Sequence, residues 1–147
     1  MKGFLLDINT LLALAWPNHV QHGAAHTWFE RESKQGWGTC SVTQIGFVRI
    51  SSHPSFVHHV STQEALEKLK EIAAAPGHAF WPEPEDGYTG GAFAHLVSRI
   101  LTHGMVTDGF LAGVAKFNAG KLATFDKALA RAFPDCCVLV GVNQSAR

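Results

Sequence analysis

Short apolar runs alternate with helix-like segments along the whole of this sequence. Candidate strands, each bounded by polar, glycine or proline positions, cover residues 3–6, 36–40, 78–82, 121–125 and 136–140. Between successive strands lie one or two segments in which apolar residues recur at helical spacing. Strands that alternate with helices in this way form a parallel sheet covered by helices. The pattern therefore predicts an α/β fold with a parallel sheet of four or five strands, and Pro82 places the third strand at a sheet edge.

Capping signals predict where several of the helices begin and end. The first helix starts near Asn9 or Thr10 and stops at Pro17. Residues 41–44 (Ser-Val-Thr-Gln) and 61–64 (Ser-Thr-Gln-Glu) both have the form of a capping box, so each is expected to open a helix. The remaining helices are predicted over residues 19–33, 92–101, 107–119 and 127–132.

The helix predicted over residues 19–33 carries His19, His22 and His26 at helical spacing. Three histidines placed in this way can bind a metal ion. No cysteine or acidic residue lies close to them in the sequence to complete such a site. The three histidines are therefore interpreted as a polar stripe that faces solvent.

The bulk composition excludes several classes of protein. With 147 residues, the chain is predicted to form one domain over residues 1–147. No apolar run approaches the roughly 20 residues of a membrane span, and no signal peptide is visible. The three cysteines, Cys40, Cys136 and Cys137, lack the spacing of a zinc site or a disulfide framework. We expect a cytoplasmic protein with reduced thiols and no membrane partner.

Charge is balanced overall but unevenly distributed. The 12 Lys and Arg residues equal the 12 Asp and Glu residues in number, so the chain is not a general polycation. Four bases surround the segment that contains Asp108 and Asp126, namely Lys116, Lys121, Lys127 and Arg131. These bases predict either a basic rim for a phosphate-bearing ligand or an ordinary solvated surface.

Three aspartates occupy positions at which strand and helix ends are expected to meet. Asp7 ends the first strand, Asp126 follows the fourth, and Asp108 lies at the start of the helix that precedes the fourth. In a parallel sheet such ends line one cleft. At about 5 Å, each pair would repel by roughly 3 kcal/mol at an effective dielectric constant near 20, so a cation is expected between them. Carboxylate oxygens select a hard cation, which predicts Mg²⁺ or Mn²⁺.

Each aspartate taken singly also has a structural interpretation. Asp108 can stabilise the start of a helix, Asp126 can cap one, and Asp7 can form a turn after a strand. The coincidence of all three at matching ends, beside the polar residues Asn9 and Thr124, favours a shared site.

Four stretches of the sequence resemble the successive motifs of PIN-domain proteins, in particular the VapC-type toxins of bacterial toxin–antitoxin pairs. They are Leu5-Leu6-Asp7-Ile8-Asn9, Thr39-Cys40-Ser41-Val42-Thr43-Gln44-Ile45-Gly46-Phe47-Val48-Arg49, Val106-Thr107-Asp108 and Leu122-Ala123-Thr124-Phe125-Asp126. The resemblance covers nearly the whole chain and keeps the order of the motifs. It implies a three-layer α/β/α sandwich, a homodimer, and inhibition by a VapB-type antitoxin. It also implies a Mg²⁺-dependent endoribonuclease that cleaves RNA with a metal-activated water.

The resemblance also assigns roles to individual residues. Asp7, Asp108 and Asp126 match the metal-binding catalytic acids. Asn9 and Thr124 match the polar residues that steady those acids or the bound water.

The sequence departs from the family pattern at Gln44, where the family usually has a glutamate among its catalytic residues. An amide can offer a carbonyl oxygen to a metal or a water, but it adds no negative charge and no base. Arg49 matches a basic position of the family, where it would pair with a site acid, contact an RNA phosphate, or form a surface salt bridge. Gln44 thus leaves a second interpretation open, a catalytically weak or inactive domain that binds RNA or an antitoxin.

Another phosphoryl-transfer class ranks below the ribonuclease. Residues 7–10 (Asp-Ile-Asn-Thr) have part of the D-x-D-x-T nucleophile loop of haloacid-dehalogenase-like phosphatases. That loop uses its second aspartate as a general acid, and Asn9 cannot supply the proton. The sequence also shows no cap domain.

Overall fold

Five parallel strands form one sheet in the computed structural model, which describes residues 2–141. The strands are β1 Phe4–Leu6, β2 Trp37–Thr39, β3 His78–Phe80, β4 Lys121–Thr124 and β5 Cys137–Leu139. Their order across the sheet is β3-β2-β1-β4-β5, and every neighbouring pair is parallel. The predicted parallel sheet is confirmed, with β3 at an edge as Pro82 indicated.

Seven helices connect the strands within the described residues. They are α1 Ile8–Ala15, α2 His22–Glu32, α3 Ser41–Ser51, α4 Thr62–Ala73, α5 Gly91–Ala94, α6 Val106–Phe117 and α7 Lys127–Ala132. None of the helices between residues 2 and 141 has the length and apolar character needed to cross a bilayer. The three cysteines are free and buried.

The two faces of the sheet support separate apolar cores, which gives the predicted three-layer sandwich. Phe4 and Leu6 of β1 point into a core shared with α1 to α4, whereas Leu5 between them points into the core of α5 to α7. This alternation is the two-residue period of a strand buried on both faces. Each core is anchored by a fully buried tryptophan, Trp37 in the first and Trp81 in the second.

The strand order places a topological switch point between β1 and β4. The chain builds β2 and then β3 outward on one side of β1, and returns through α5 and α6 to lay β4 on the other side. Leu5 pairs with Leu122 and Leu6 with Ala123 across this junction. Crevices outside the carboxyl ends of strands at such a reversal are the usual ligand sites of open α/β sheets.

The starts of α1, α2 and α3 differ from the prediction by one to three residues. Helix α2 begins at His22 and not at residue 19, so His19 precedes the helix. Helix α1 is capped by Asp7, so it begins before Asn9. Helix α3 is capped by Cys40, whose backbone N–H donates to the Thr43 hydroxyl at 2.9 Å. The predicted pairing of Ser41 with Gln44 is therefore wrong, because the threonine hydroxyl occupies the reciprocal capping position.

The segment before α6 is less helical than predicted. In place of one helix over residues 92–101 there is the single turn α5, followed by a 3₁₀ turn at Val97–Arg99. A second 3₁₀ turn, His103–Met105, leads into α6, which begins one residue before Thr107. Short 3₁₀ turns of this kind commonly serve as connectors and helix starts.

Two of the three clustered histidines contact carbonyl oxygens at the end of α1, so the predicted solvent-facing polar stripe is not what these side chains form. A ring nitrogen of His22 lies 2.8 Å from the carbonyl oxygen of Ala13, and one of His26 lies 3.1 Å from that of Leu14. Both carbonyls belong to the last turn of α1, where no helical N–H is left to satisfy them. The spacing of the histidines therefore serves the packing of α2 against α1.

Candidate active site

Asp7 and Asp126 follow the two strands that flank the switch point, β1 and β4. Asp7 follows β1, and its backbone N–H donates to Ala123 of β4 at 3.1 Å. Asp126 lies two residues beyond β4. Asp108 lies in the first turn of α6, which starts at the edge of the sheet where the strands end, because α6 runs back to the beginning of β4. The fold thus brings the three predicted acids to one edge.

Asp7 is held rigidly by its second role as the cap of α1. The side chain is almost fully buried, with 3% exposed. Its Oδ1 accepts a hydrogen bond of 2.8 Å from the backbone N–H of Thr10, and the Thr10 hydroxyl donates to the carbonyl of Ala123. One residue therefore ties the end of β1, the start of α1 and the neighbouring strand together.

Asp126 repeats this arrangement at the start of α7, but its side chain is exposed. Its Oδ1 accepts from the backbone N–H of Leu129 at 3.1 Å, and its own N–H donates to the hydroxyl of Thr124 at 3.0 Å. Thr124 is fully buried, so this hydroxyl is fixed. Asp126 keeps a carboxylate oxygen available to solvent or to a ligand.

The electrostatics of the site raise the pKa values of Asp7 and Asp108. Burial raises the pKa of Asp7, and hydrogen bonding from Thr124 and Thr10 opposes the increase without cancelling it. Burial, followed by repulsion from Asp7 and Asp126, raises the pKa of Asp108 to about 7. In the described part of the chain, no lysine or arginine lies within 4.0 Å of any of the three carboxylates.

The donor set suits a hard divalent cation in charge and in chemistry. Three carboxylates that repel one another without a basic partner gain from a positive ion, and their oxygens are the ligands that Mg²⁺ and Mn²⁺ prefer. Within residues 2–141, no three His, Cys, Asp or Glu side chains are already arranged as a metal cage. The metal site inferred from the sequence stays a prediction.

The side chain of Gln44 forms a hydrogen bond with the second strand, β2. Its Nε2 donates to the Thr39 hydroxyl at 3.0 Å, and that hydroxyl lies 2.8 Å from Nε2 of His78. Gln44 also shares a groove of about 390 Å³ between α3 and α4 with Arg49. Arg49 is exposed and forms no salt bridge with a described residue. The amide of Gln44 is thus engaged as a donor, which a glutamate could not reproduce.

Thr10, which was not predicted as a site residue, supports Asp7 through its backbone N–H, and the role of Asn9 stays a prediction. Asn9 is exposed and makes no hydrogen bond to a site carboxylate among the described residues. The available signal was the spacing, since the residue three positions after an Asp cap supplies the N–H that the cap accepts.

The predicted basic rim is wrong for two of its four members. Lys121 begins β4 and Lys116 lies in the last turn of α6, so both are at the opposite edge of the sheet. They bind Asp135 there: Lys116 Nζ lies 3.4 Å from its carboxylate, and Lys121 Nζ donates to its carbonyl at 3.0 Å. Lys127, adjacent to Asp126, remains beside the acids.

The raised pKa of Asp108 predicts a specific pH dependence of stability. The folded chain holds this proton up to about pH 7, whereas the unfolded chain releases it near 3.8. The stability that this proton gives is complete below pH ~4 and is lost as the pH rises toward 7, because the unfolded state loses the proton first. In EDTA, Asp108→Asn should raise the free energy of unfolding by roughly 2–4 kcal/mol at pH 8 and by much less at pH 4. Urea unfolding at both pH values measures this, and an equal gain at both would contradict it.

Proteins similar in sequence to this chain are VapC ribonucleases. Ribonuclease VapC39 of Mycobacterium tuberculosis is 44% identical over 128 residues, which cover 86% of this chain and 90% of that protein. Ribonuclease VapC44 of the same organism is 33% identical over 126 residues, which cover 86% of this chain and 87% of that protein. Ribonuclease VapC29 is 34% identical over 137 residues, covering 92% and 95%. No protein-family model matches the chain.

Solved structures with a similar fold are more distant in sequence. One is a chain in the crystal structure of VapBC2 from Rickettsia felis bound to a DNA fragment from their promoter. It has a TM-score of 0.64 and 14% identity, over 93% of this chain and 98% of that one. Another belongs to the crystal structure of FitAcB from Neisseria gonorrhoeae. It has a TM-score of 0.56 and 18% identity, and the match covers 91% of this chain and 95% of that one. At such identities the similarity shows a shared fold.

Proposed function

This chain belongs to the VapC family of PIN-domain ribonucleases, and we propose that it is a metal-dependent endoribonuclease, the toxin of a toxin–antitoxin pair. One observation carries the metal dependence. Asp7, Asp108 and Asp126 share the switch-point edge without a lysine or arginine to neutralise them in the described residues. A site of this charge is suited to holding a divalent cation against an RNA phosphate.

In this proposal each acid has a distinct part. Asp7, Asp108 and Asp126 would hold Mg²⁺ or Mn²⁺, which supplies polarisation of the phosphoryl oxygen and activation of water. Asp7 is held in place by its hydrogen bond from Thr10 and would be the buried ligand of the cation. Asp126 is exposed, so RNA would be able to reach its carboxylate. Asp108, whose pKa is about 7 without a cation, would give up its proton when the cation binds.

A second candidate function is an RNA- or antitoxin-binding domain with little turnover. The observation that favours it is the amide of Gln44, which donates to Thr39 and supplies neither charge nor base. Both candidates predict RNA binding, and only the first predicts cleavage.

Cleavage of single-stranded RNA in the presence and absence of metal tests the proposal. We expect cleavage in Mg²⁺ or Mn²⁺, none in EDTA, and recovery when the metal is restored. Since the cation binds the folded chain, a hundredfold excess over its dissociation constant should stabilise that chain by about 2.7 kcal/mol. Equal melting temperatures in Mg²⁺ and EDTA, or cleavage that persists in EDTA, would rule out the metal-dependent mechanism.

We also propose that the chain forms a homodimer and is inhibited in the cytoplasm by a VapB-type antitoxin. An apolar surface on α3 and α4 supports an interface, because Ile45 is 67% exposed and Leu66 is 44% exposed beside the same groove. Sedimentation of the chain alone, and together with a candidate VapB-type antitoxin, distinguishes a 15.9 kDa monomer from either assembly.

A further inference from the structure

A small apolar pocket opens between the first turns of α3 and α6. Its volume is about 210 Å³, which exceeds the roughly 150 Å³ of an engineered cavity that accepts one benzene ring. It is lined by Val42, Tyr88, Val106, Thr107, Phe110 and Leu111. Both helices begin at the edge of the sheet that carries the acids, and Thr107 directly precedes Asp108. The pocket therefore lies at the same edge of the sheet as the acids, and Thr107 joins its lining to Asp108 through the chain.

Two half-buried aromatic rings form one wall of this pocket. The ring centroids of Tyr88 and Phe110 lie 5.1 Å apart in an edge-to-face arrangement. Both rings pack against Phe93, at 5.0 and 5.5 Å, and Phe93 itself is fully buried. The core thus fixes the orientation of two rings whose remaining surface faces the pocket. Trp37, Trp81 and Phe93 are buried, whereas the rings of Tyr88 and Phe110 line this pocket.

We propose that this pocket binds one unpaired RNA base next to the phosphodiester bond that is cleaved. The inference rests on the proposed ribonuclease function, which places RNA along the adjacent acids. Recognition of single-stranded RNA depends on splayed bases that stack on aromatic side chains. The apolar walls suit the faces of a base, and Thr107, an exposed residue of the lining, carries a hydroxyl that can donate to or accept from a polar edge of the base.

The hydroxyl of Tyr88 is not part of this recognition. Its oxygen is buried, and the side chain of Glu83 is its polar neighbour inside the protein. The ring faces the pocket, whereas the oxygen is turned into the protein. Binding of the base therefore requires the ring of Tyr88 and is indifferent to its hydroxyl.

Two substitutions at position 88 separate these contributions. The probe is a single-stranded RNA that contains the fluorescent base 2-aminopurine, titrated in EDTA so that no cleavage occurs. Tyr88→Leu should weaken RNA affinity by roughly 5- to 150-fold and remove the quenching that stacking produces. Tyr88→Phe keeps the ring and should bind within twofold of the unaltered chain.

A third substitution guards against a folding defect in Tyr88→Leu. Val106 is 41% exposed at the rim, so Val106→Trp can fill the pocket without disturbing the core. This variant should also lose affinity and quenching while its circular dichroism and melting temperature stay unchanged. Unaltered affinity in both Tyr88→Leu and Val106→Trp would overturn the proposal. So would weakened binding of an antitoxin with unchanged RNA affinity, because a protein side chain would then be the occupant.

Failure of this inference is distinguishable from failure of the ribonuclease function. If the unaltered chain cleaves RNA in Mg²⁺ but both variants bind RNA normally, the pocket has no role and the ribonuclease stands. If the chain quenches the probe in a Tyr88-dependent manner but never cleaves, the pocket stands and the enzyme does not.

Discussion

Asp7→Asn should reduce RNA cleavage by at least about 100-fold and leave the fold intact. Loss of one of three carboxylates costs a metal site several kcal/mol of transition-state stabilisation, and each 1.36 kcal/mol is tenfold in rate. Asparagine is as good a helix cap as aspartate, so its side-chain oxygen still accepts from the backbone N–H of Thr10. Initial rates of RNA cleavage and urea unfolding of the same preparation measure the two effects.

Two further variants make the Asp7 experiment specific. Asp7→Ala removes both the charge and the cap, so it should lose the same activity and about 1 kcal/mol of stability in addition. Asp135→Asn removes a carboxylate at the opposite edge of the sheet, where Asp135 pairs with Arg99 and Lys116, and should leave cleavage unchanged. A rate for Asp7→Asn within threefold of the unaltered chain would exclude Asp7 from catalysis.

Gln44→Glu should tighten Mg²⁺ binding about tenfold and raise the rate of cleavage. A tenfold gain corresponds to roughly 1.4 kcal/mol of added attraction between a divalent cation and a nearby carboxylate. A glutamate at this position also supplies the base that the amide lacks. Calorimetry with Mg²⁺ and the cleavage assay measure the two gains. If neither changes, Gln44 lies outside the site and the family's glutamate position belongs elsewhere on α3.

The same substitution should reverse a hydrogen-bond chain that is visible in the structure. Gln44 donates to the Thr39 hydroxyl, whereas a glutamate accepts from it, so Thr39 must then accept from His78. Burial holds the pKa of His78 below its ordinary value. Because the ring nitrogen of His78 would then have to donate to Thr39, its protonated form would be favoured and the pKa should rise. An NMR titration of the His78 ring tests the reversal. Gln35→Glu, which adds the same charge just before β2 at the opposite edge, is the matched control.

Signals that act within a few residues were readable from the sequence. The apolar alternation predicted a parallel sheet because each strand had to be buried on both faces, and Leu5 and Leu6 indeed point into different cores. Asp7 and Asp126 were identifiable as site candidates because they follow apolar strands. The four motifs also indicated the family that the sequence relatives confirm. Where these local signals were wrong, the predicted helix start was displaced by a few residues. At α3 the Thr43 hydroxyl, and not Gln44, takes the capping position.

What the tertiary structure decided depends on contacts between residues distant in the chain. The order β3-β2-β1-β4-β5 creates the switch point, and nothing within residues 3–6 or 121–125 specifies that these strands are neighbours. Burial against that junction raises the pKa of Asp7, and burial together with the other two acids raises that of Asp108. The same topology carries Lys116 and Lys121 to the opposite edge, although both are close to the acids in sequence. A sequence determines which side chains are available and how each segment prefers to fold, but the local dielectric and the neighbours that control their chemistry arise only when the layers pack.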